Sequence, residues 1–253
     1  MLPEELYQMT LLDYTKTPLK TGVVGTVIRY DDRKRAAVVD LGCGFRGVIP
    51  EREITVYPFT YSGEYKIANQ ILAIIGRKIR AIVTGIAEDG ILILSRRLSM
   101  EEAWNSLEEN SNVLARIVGI TQKNIFLDIG NGLRSRNVPY ECTGTLINDL
   151  NHWFELYSYI PVRIISKGQE CSDKIVSSHR LVYPDYNTSK KMYKEGQIIS
   201  VRIGDRVNEE GYFCEVTPAI RGIIDTRETL KEGQRARAIV RKLTDKGIRM
   251  DKI

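Results

Sequence analysis

The sequence predicts an all-β protein made of three tandem five-stranded barrels with one short connecting helix. Three observations predict it. The octapeptide RGVIPERE at residues 46–53 returns as RGIIDTRE at residues 221–228, with six of eight positions alike in type, and a longer relative, RSRNVPYEC, occupies residues 134–142. Ahead of each copy lies a short apolar run, RAAVVDLG, NIFLDIG or GYFCEV, and further upstream a β-branched run, TGVVGTVIRY, NVLARIVGI or EGQIISVRIG. Such runs suit strands, because branched side chains pack well on a pleated surface. Downstream of each copy come two further short runs separated by a polar turn. The chain of 253 residues therefore reads as a repeat rather than as one large core.

In chain order, residues 1–20 form an N-terminal extension and residues 21–97 the first barrel. Residues 98–110 form the connecting helix, with apolar spacing at Leu98, Ala103, Trp104 and Leu107 and a capping box made by Ser99 and Glu102. Residues 111–183 make the second barrel. Residues 184–194, within the polar, turn-rich stretch YPDYNTSKKMYKEG, read as a linker with some freedom. Residues 195–253 make the third barrel.

Composition narrows the function. No apolar run approaches the roughly 20 residues that span a bilayer, and the N-terminus lacks a basic flank followed by a long apolar stretch, so a cytoplasmic protein with no membrane partner is expected. The four cysteines, Cys43, Cys142, Cys171 and Cys214, form no C-x-x-C pair, and His152 and His179 match no zinc spacing. No metal, no cofactor and no small-molecule substrate are expected. Neither a Gly-rich phosphate loop nor a nucleophile–base arrangement is present, so the chain reads as a non-enzyme. The net charge of +5 suits a polyanionic partner. From Lys231 onward eight Lys or Arg face three acids, so the basic excess gathers at the C-terminus.

The order Gly-x-Val, Val-Asp-Leu-Gly, Arg-Gly-Val-Ile-Pro and Ile-Leu-Ser-Arg-Arg resembles the S-one RNA-binding domain, an OB-fold family named for a bacterial small-subunit ribosomal protein. The helix carrying Ala103-Trp104 and then Leu107-Glu108-Glu109 looks like the connector between that protein's first two repeats. The resemblance implies three S-one-type OB barrels that bind single-stranded RNA, in translation or mRNA handling, with the small ribosomal subunit as a further partner and the chain itself a monomer.

The resemblance also implies an RNA face with two aromatics on the second strand in a Phe-Gly-Ala-Phe pattern, a His on the third and a basic residue on the fifth. Aromatic faces stack on bases while Lys and Arg track the backbone. In the first barrel the pattern falls on Arg35-Ala36-Ala37-Val38, with Pro50 at the His place, so no aromatic remains and a docking role is expected. In the second it falls on Lys123-Asn124-Ile125-Phe126, with Pro139 at the His place and Lys174 on the last strand. In the third it falls on residues 210–213, ending in Phe213, with Asp225 at the His place and Arg249 on the last strand. The expected RNA-binding set is Lys123, Phe126, Lys174, His179, Arg180, Phe213, Arg235, Arg237, Arg241, Lys242 and Arg249.

Several of these residues have a plainer reading. Phe126 and Phe213 serve equally as core residues if the strand is slipped by one position. His179 beside Arg180 either packs or meets phosphate. Tyr57, Phe59, Tyr61 and Tyr65, crowded into TVYPFTYSGEYK, either cap the first barrel or dock a partner. Asp40 and Asp128, each closing a strand before a glycine, read as turn acceptors rather than metal ligands. A protein-interaction module with little RNA affinity of its own is the alternative to RNA binding.

Overall fold

The computed structural model describes residues 22–57, 71–87, 89–209 and 211–253. Five strands make the first barrel: β1 (Gly22–Asp31), β2 (Ala36–Gly42), β3 (Phe45–Pro50), β4 (Lys78–Ile86) and β5 (Leu92–Ser95). They close in the order β1-β2-β3-β5-β4, with β4 pairing back to β1 and β3 parallel to β5. The alternation read from the sequence fills the interior: Val23, Val27, Ala37, Val39, Ile49, Ala81, Val83 and Leu94 pack as one core. Asp40 accepts the Gly42 N–H at 2.9 Å, as a turn acceptor should.

The second sheet has β6 (Asn112–Thr121), β7 (Asn124–Asp128), β8 (Arg134–Asn137), β9 (Tyr159–Ser166) and β10 (Val176–Ser178), in the order β10-β9-β6-β7-β8. A single parallel bridge, Ser135 to Ile175, brings its two edges together. The third barrel repeats the first: β11 (Ile198–Asn208), β12 (Gly211–Thr217), β13 (Ile220–Asp225), β14 (Arg235–Leu243) and β15 (Ile248–Lys252), closed in the order β11-β12-β13-β15-β14. Three tandem five-stranded barrels of OB topology with few helices are thus the architecture.

Two local expectations change. The connecting helix α1 spans Arg96–Ser106, and its cap is Ser95, whose hydroxyl accepts the Leu98 N–H at 3.0 Å. Strand β5 runs straight into the helix, so its last residue is the first free to cap, while Ser99 lies buried in the first turn. Arg97 braces that turn on Glu101 at 2.6 Å and on Glu53 at 3.3 Å. The stretch read as a linker is also folded. Asp185 caps a helical turn, Tyr186–Ser189, by accepting the Thr188 N–H at 2.8 Å, and the Tyr186 hydroxyl donates to the Thr244 carbonyl at 2.7 Å. Tyr186 and Tyr193 pack against the third core. Burying two rings outweighs the freedom that the polar composition would otherwise allow.

The chain divides into two compact units. One holds the first barrel and α1 together with Gly130–Leu133 and Gln169–Asp173; the other holds Glu108–Ile129, Arg134–Gly168 and Lys174–Ile253. Within the latter, backbone hydrogen bonds join the second sheet to the third barrel, from Gly144 N to Pro218 O at 2.7 Å and from Asp205 N to Leu146 O at 2.8 Å. All four cysteines are free thiols, and burial pushes that of Cys214 up to about 12. No helix among the described residues is long and apolar enough to cross a membrane.

Candidate nucleic-acid interface

On β7 the buried side chains of Ile125 and Leu127 fix the strand's inner face, so Phe126 between them points outward and is 40% exposed. Its cross-strand neighbours are Gly119 on β6 and Arg136 on β8. A Cβ added at Gly119 would meet the Phe126 ring at 3.3 Å, so the bare glycine backbone is the floor on which the ring rests. One step along the sheet, Asp128 stands between Arg116 and Arg134. Lys123 is exposed at the β6–β7 hairpin tip, and Arg134 and Arg136 are exposed on β8. This outer face therefore carries an open ring with three arginines and one acid around it, and Lys123 stands at the hairpin tip.

On the third barrel the register lines up a row across four strands. Phe213 on β12 faces Ile223 on β13, Ile223 faces Arg249 on β15, and Arg249 faces Lys242 on β14. Phe213 is half-buried beside a shallow cleft of about 160 Å³ whose rim includes Arg221, Lys246 and Arg249. None of Arg221, Lys242, Lys246 and Arg249 forms an ion pair with another described residue. Arg241, by contrast, is held by Asp225 and, at 3.4 Å, by Asp251, and Lys252 by Glu228. A cation already paired offers less to a phosphate than a bare one.

The remaining expected residues disperse. Arg235 and Arg237 stand at the start of β14, seven residues before Lys242 in the case of Arg235, or about 23 Å along a strand. Lys174 is exposed just before the bridge residue Ile175. The Arg180 guanidinium lies 4.3 Å over the Tyr140 ring and donates to the Tyr140 carbonyl at 3.0 Å, and Tyr140 is 65% exposed. His179 is buried, its Nδ1 on the Pro161 carbonyl at 2.7 Å, and desolvation lowers its pKa below the ordinary value despite that hydrogen bond. In the first barrel Val38 takes the place of Phe126 and is itself buried, opposite Val48. Tyr57 is half-buried with its N–H on the Thr55 hydroxyl at 3.2 Å; Phe59, Tyr61 and Tyr65 lie outside the described residues.

Sequence reasoning did not single out Arg136 or Tyr140, although both sit in the third, weaker copy of the repeat. Their signal is positional: Arg136 is two residues from Arg134 in a strand, and so on the same face.

Fold and face together define tandem OB barrels with basic, partly aromatic outer surfaces. No protein-family model matches the sequence, and no curated protein matches it. Among solved structures, the chain is similar to a multidomain protein with nucleic acid binding domains from Streptococcus pneumoniae TIGR4, at 14% identity and a TM-score of 0.31, over 93% of this chain and 74% of that one. It is also similar to a chain of the a/eIF2alpha-aDim2p-rRNA complex from Pyrococcus horikoshii OT3, at 18% identity and a TM-score of 0.29, over 34% of this chain and 52% of that one. GSP13 from Bacillus subtilis gives 22% identity and a TM-score of 0.27, over 38% of this chain and 64% of GSP13. At these scores the likeness supports no functional conclusion.

Proposed function

We propose that the chain is a cytoplasmic, non-enzymatic protein that binds single-stranded RNA on the outer faces of its second and third barrels. The observation that carries this reading is the pair of rings set among cations: Phe126 opposite Arg136, and Phe213 in one row with Arg249 and Lys242. Bases stack on such rings with little sequence preference, and cations follow the phosphates. The resemblance to the S-one domain supports the same reading and points to translation or mRNA handling. The first barrel, whose equivalent position is the buried Val38, serves attachment to a partner, for which the small ribosomal subunit is the candidate. The domain limits 21–97, 111–183 and 195–253 belong to this reading, as does a monomeric state.

The test is a labelled, unstructured RNA titrated with the full chain at about 50 and about 200 mM salt. With about six cations engaged, the log–log slope for a single strand is about −4, which costs about 300-fold in affinity over that range. No binding at low salt, or equal preference for duplex, sinks the proposal. A protein partner retained after RNase treatment, by a chain without RNA affinity, would favour an interaction module instead.

A further inference from the structure

A cavity of about 330 Å³ opens between the second sheet and the third barrel, inside the unit that holds both. It is separate from the two outer faces, since neither Phe126 nor Phe213 lines it. One wall is aromatic. The His179 ring stands edge-on to Phe154 at 5.9 Å and to Tyr183 at 5.3 Å, and with Nδ1 anchored on the Pro161 carbonyl it holds both rings in place. Desolvation favours the neutral form of this histidine, so its ring adds no charge to the wall near neutral pH, where the Glu155 carboxylate is the acidic group beside Phe154.

The opposite wall is polar. Arg202 is fixed, with Nε on the Gly233 carbonyl at 3.0 Å, a terminal nitrogen on the His152 carbonyl at 3.1 Å, and its guanidinium 4.6 Å over the Trp153 ring. Arg235, its cross-strand partner, is exposed and forms no ion pair with a described residue. Glu215, half-buried, takes a hydrogen bond from Thr143 and feels both arginines. The hydroxyl oxygen of Thr217 is shielded from solvent and has no hydrogen-bond partner in the protein, an arrangement that costs about 1–3 kcal/mol unless something bonds to it.

A wall of neutral rings, an unpaired cation, the carboxylates of Glu155 and Glu215 and an orphaned hydroxyl fit a ligand with a planar ring, N–H donors on the ring edge and an anionic group. That is the chemistry of a nucleotide, and the volume lies within the range of small-ligand sites. We propose that this cavity binds one nucleotide unit, its base along the Phe154 and Tyr183 wall, its N–H edge toward Glu215 and Thr217, and its phosphate on Arg235. The nucleotide is either free or part of an RNA strand.

The chain has two tryptophans, Trp104 and Trp153, so Trp104→Phe leaves Trp153, which lines the cavity, as the only reporter. In that background the full chain is titrated with each nucleoside monophosphate, with a short unstructured RNA and with inorganic phosphate, while Trp153 emission is followed. A saturable response to a monophosphate, weakened about tenfold or more by Thr217→Val and by Arg235→Gln, is expected. Circular dichroism checks each variant, and the exposed Arg235→Gln decides the matter if Thr217→Val does not fold. Silence with monophosphates but a Trp153 response to RNA that the same variants remove assigns the nucleotide to a strand. An equal response to inorganic phosphate, or no variant-sensitive response to any probe, overturns the proposal. RNA binding that persists without a Trp153 response defeats only this inference, whereas monophosphate binding without RNA affinity defeats only the outer-face reading.

Discussion

The indole N–H of Trp153, just before β9, donates at 3.1 Å to the carboxylate of Glu232, just before β14. The same carboxylate oxygen accepts the backbone N–H of Asn148 at 2.8 Å and of Asp149 at 3.1 Å. One acidic side chain of the third barrel thus gathers three donors from the connection between β8 and β9. Glu232→Ala is expected to destabilise the unit by about 2 kcal/mol, because charge-assisted hydrogen bonds are lost and a nearly buried indole N–H is left without its acceptor. Urea denaturation in the Trp104→Phe background, followed by Trp153 emission, checks this, and an unchanged midpoint would mean that water replaces the carboxylate at no cost.

Phe126→Ala is expected to weaken RNA binding by about 1–3 kcal/mol, or roughly five- to 150-fold. Stability should change little, since the ring is already 40% exposed. Phe126→Trp should preserve affinity. Gly119→Leu probes the same ring from beneath: a side chain at Gly119 must displace the ring it touches, and affinity should fall although Phe126 is intact. Fluorescence anisotropy with a labelled RNA reads all three.

The two neighbouring cations Arg241 and Lys242 should behave differently. Lys242→Ala and Arg249→Ala are each expected to reduce the salt slope by about 0.7, one phosphate contact on a single strand, and to weaken all sequences alike. Arg241→Ala should leave the slope nearly unchanged, because Asp225 and Asp251 already hold that guanidinium. A full slope change for Arg241→Ala would show that the ion pairs yield to phosphate.

Burial raises the Glu215 pKa above the ordinary 4.5, an effect that the Thr143 hydrogen bond and the two arginines oppose without cancelling. The folded state therefore holds this proton more tightly than the unfolded chain does. Its contribution to stability is full below the ordinary carboxylate range and is lost as pH rises through the raised folded value. Glu215→Gln, which cannot ionise, should lack that decline, so the variant gains on the wild type as pH climbs from about 4.5. Thermal melts across the acid range test the sign.

The strands were legible because each barrel repeats one pattern of β-branched runs, and their inner faces follow from simple alternation at Ile125 and Leu127 or at Tyr212 and Cys214. The same alternation puts Phe126 outside once the register of β7 is fixed. What alternation cannot supply is pairing across distance. Arg241 counts as a free cation in the sequence, and only the closure of β13, β14 and β15 sets Asp225 and Asp251 against it. The helix cap moved to Ser95 for a related reason, since a strand that feeds directly into a helix leaves no loop in which Ser99 could cap. The cavity had no local signature at all. Its walls come from stretches as far apart as Trp153 and Arg235, joined by the contacts between the second sheet and the third barrel.

The second sheet closes differently from its neighbours. Where the other barrels have a ladder of parallel pairs, β8 and β10 meet through the Ser135–Ile175 bridge and a chain of side chains: Ser135 Oγ on the Ile175 carbonyl at 2.9 Å and 2.8 Å from Ser177 Oγ, which donates at 2.8 Å to Asn137. A seam fastened by one backbone bridge and hydroxyls parts more readily than a full ladder, so the β8 amide protons that face β10 should exchange with deuterium well before those bonded between β6 and β7. Arg136 rides on that loosely tied strand beside Phe126. A ligand that grips both would slow exchange at the seam, which makes the protection of β8 a reporter of occupancy that needs no label on either partner.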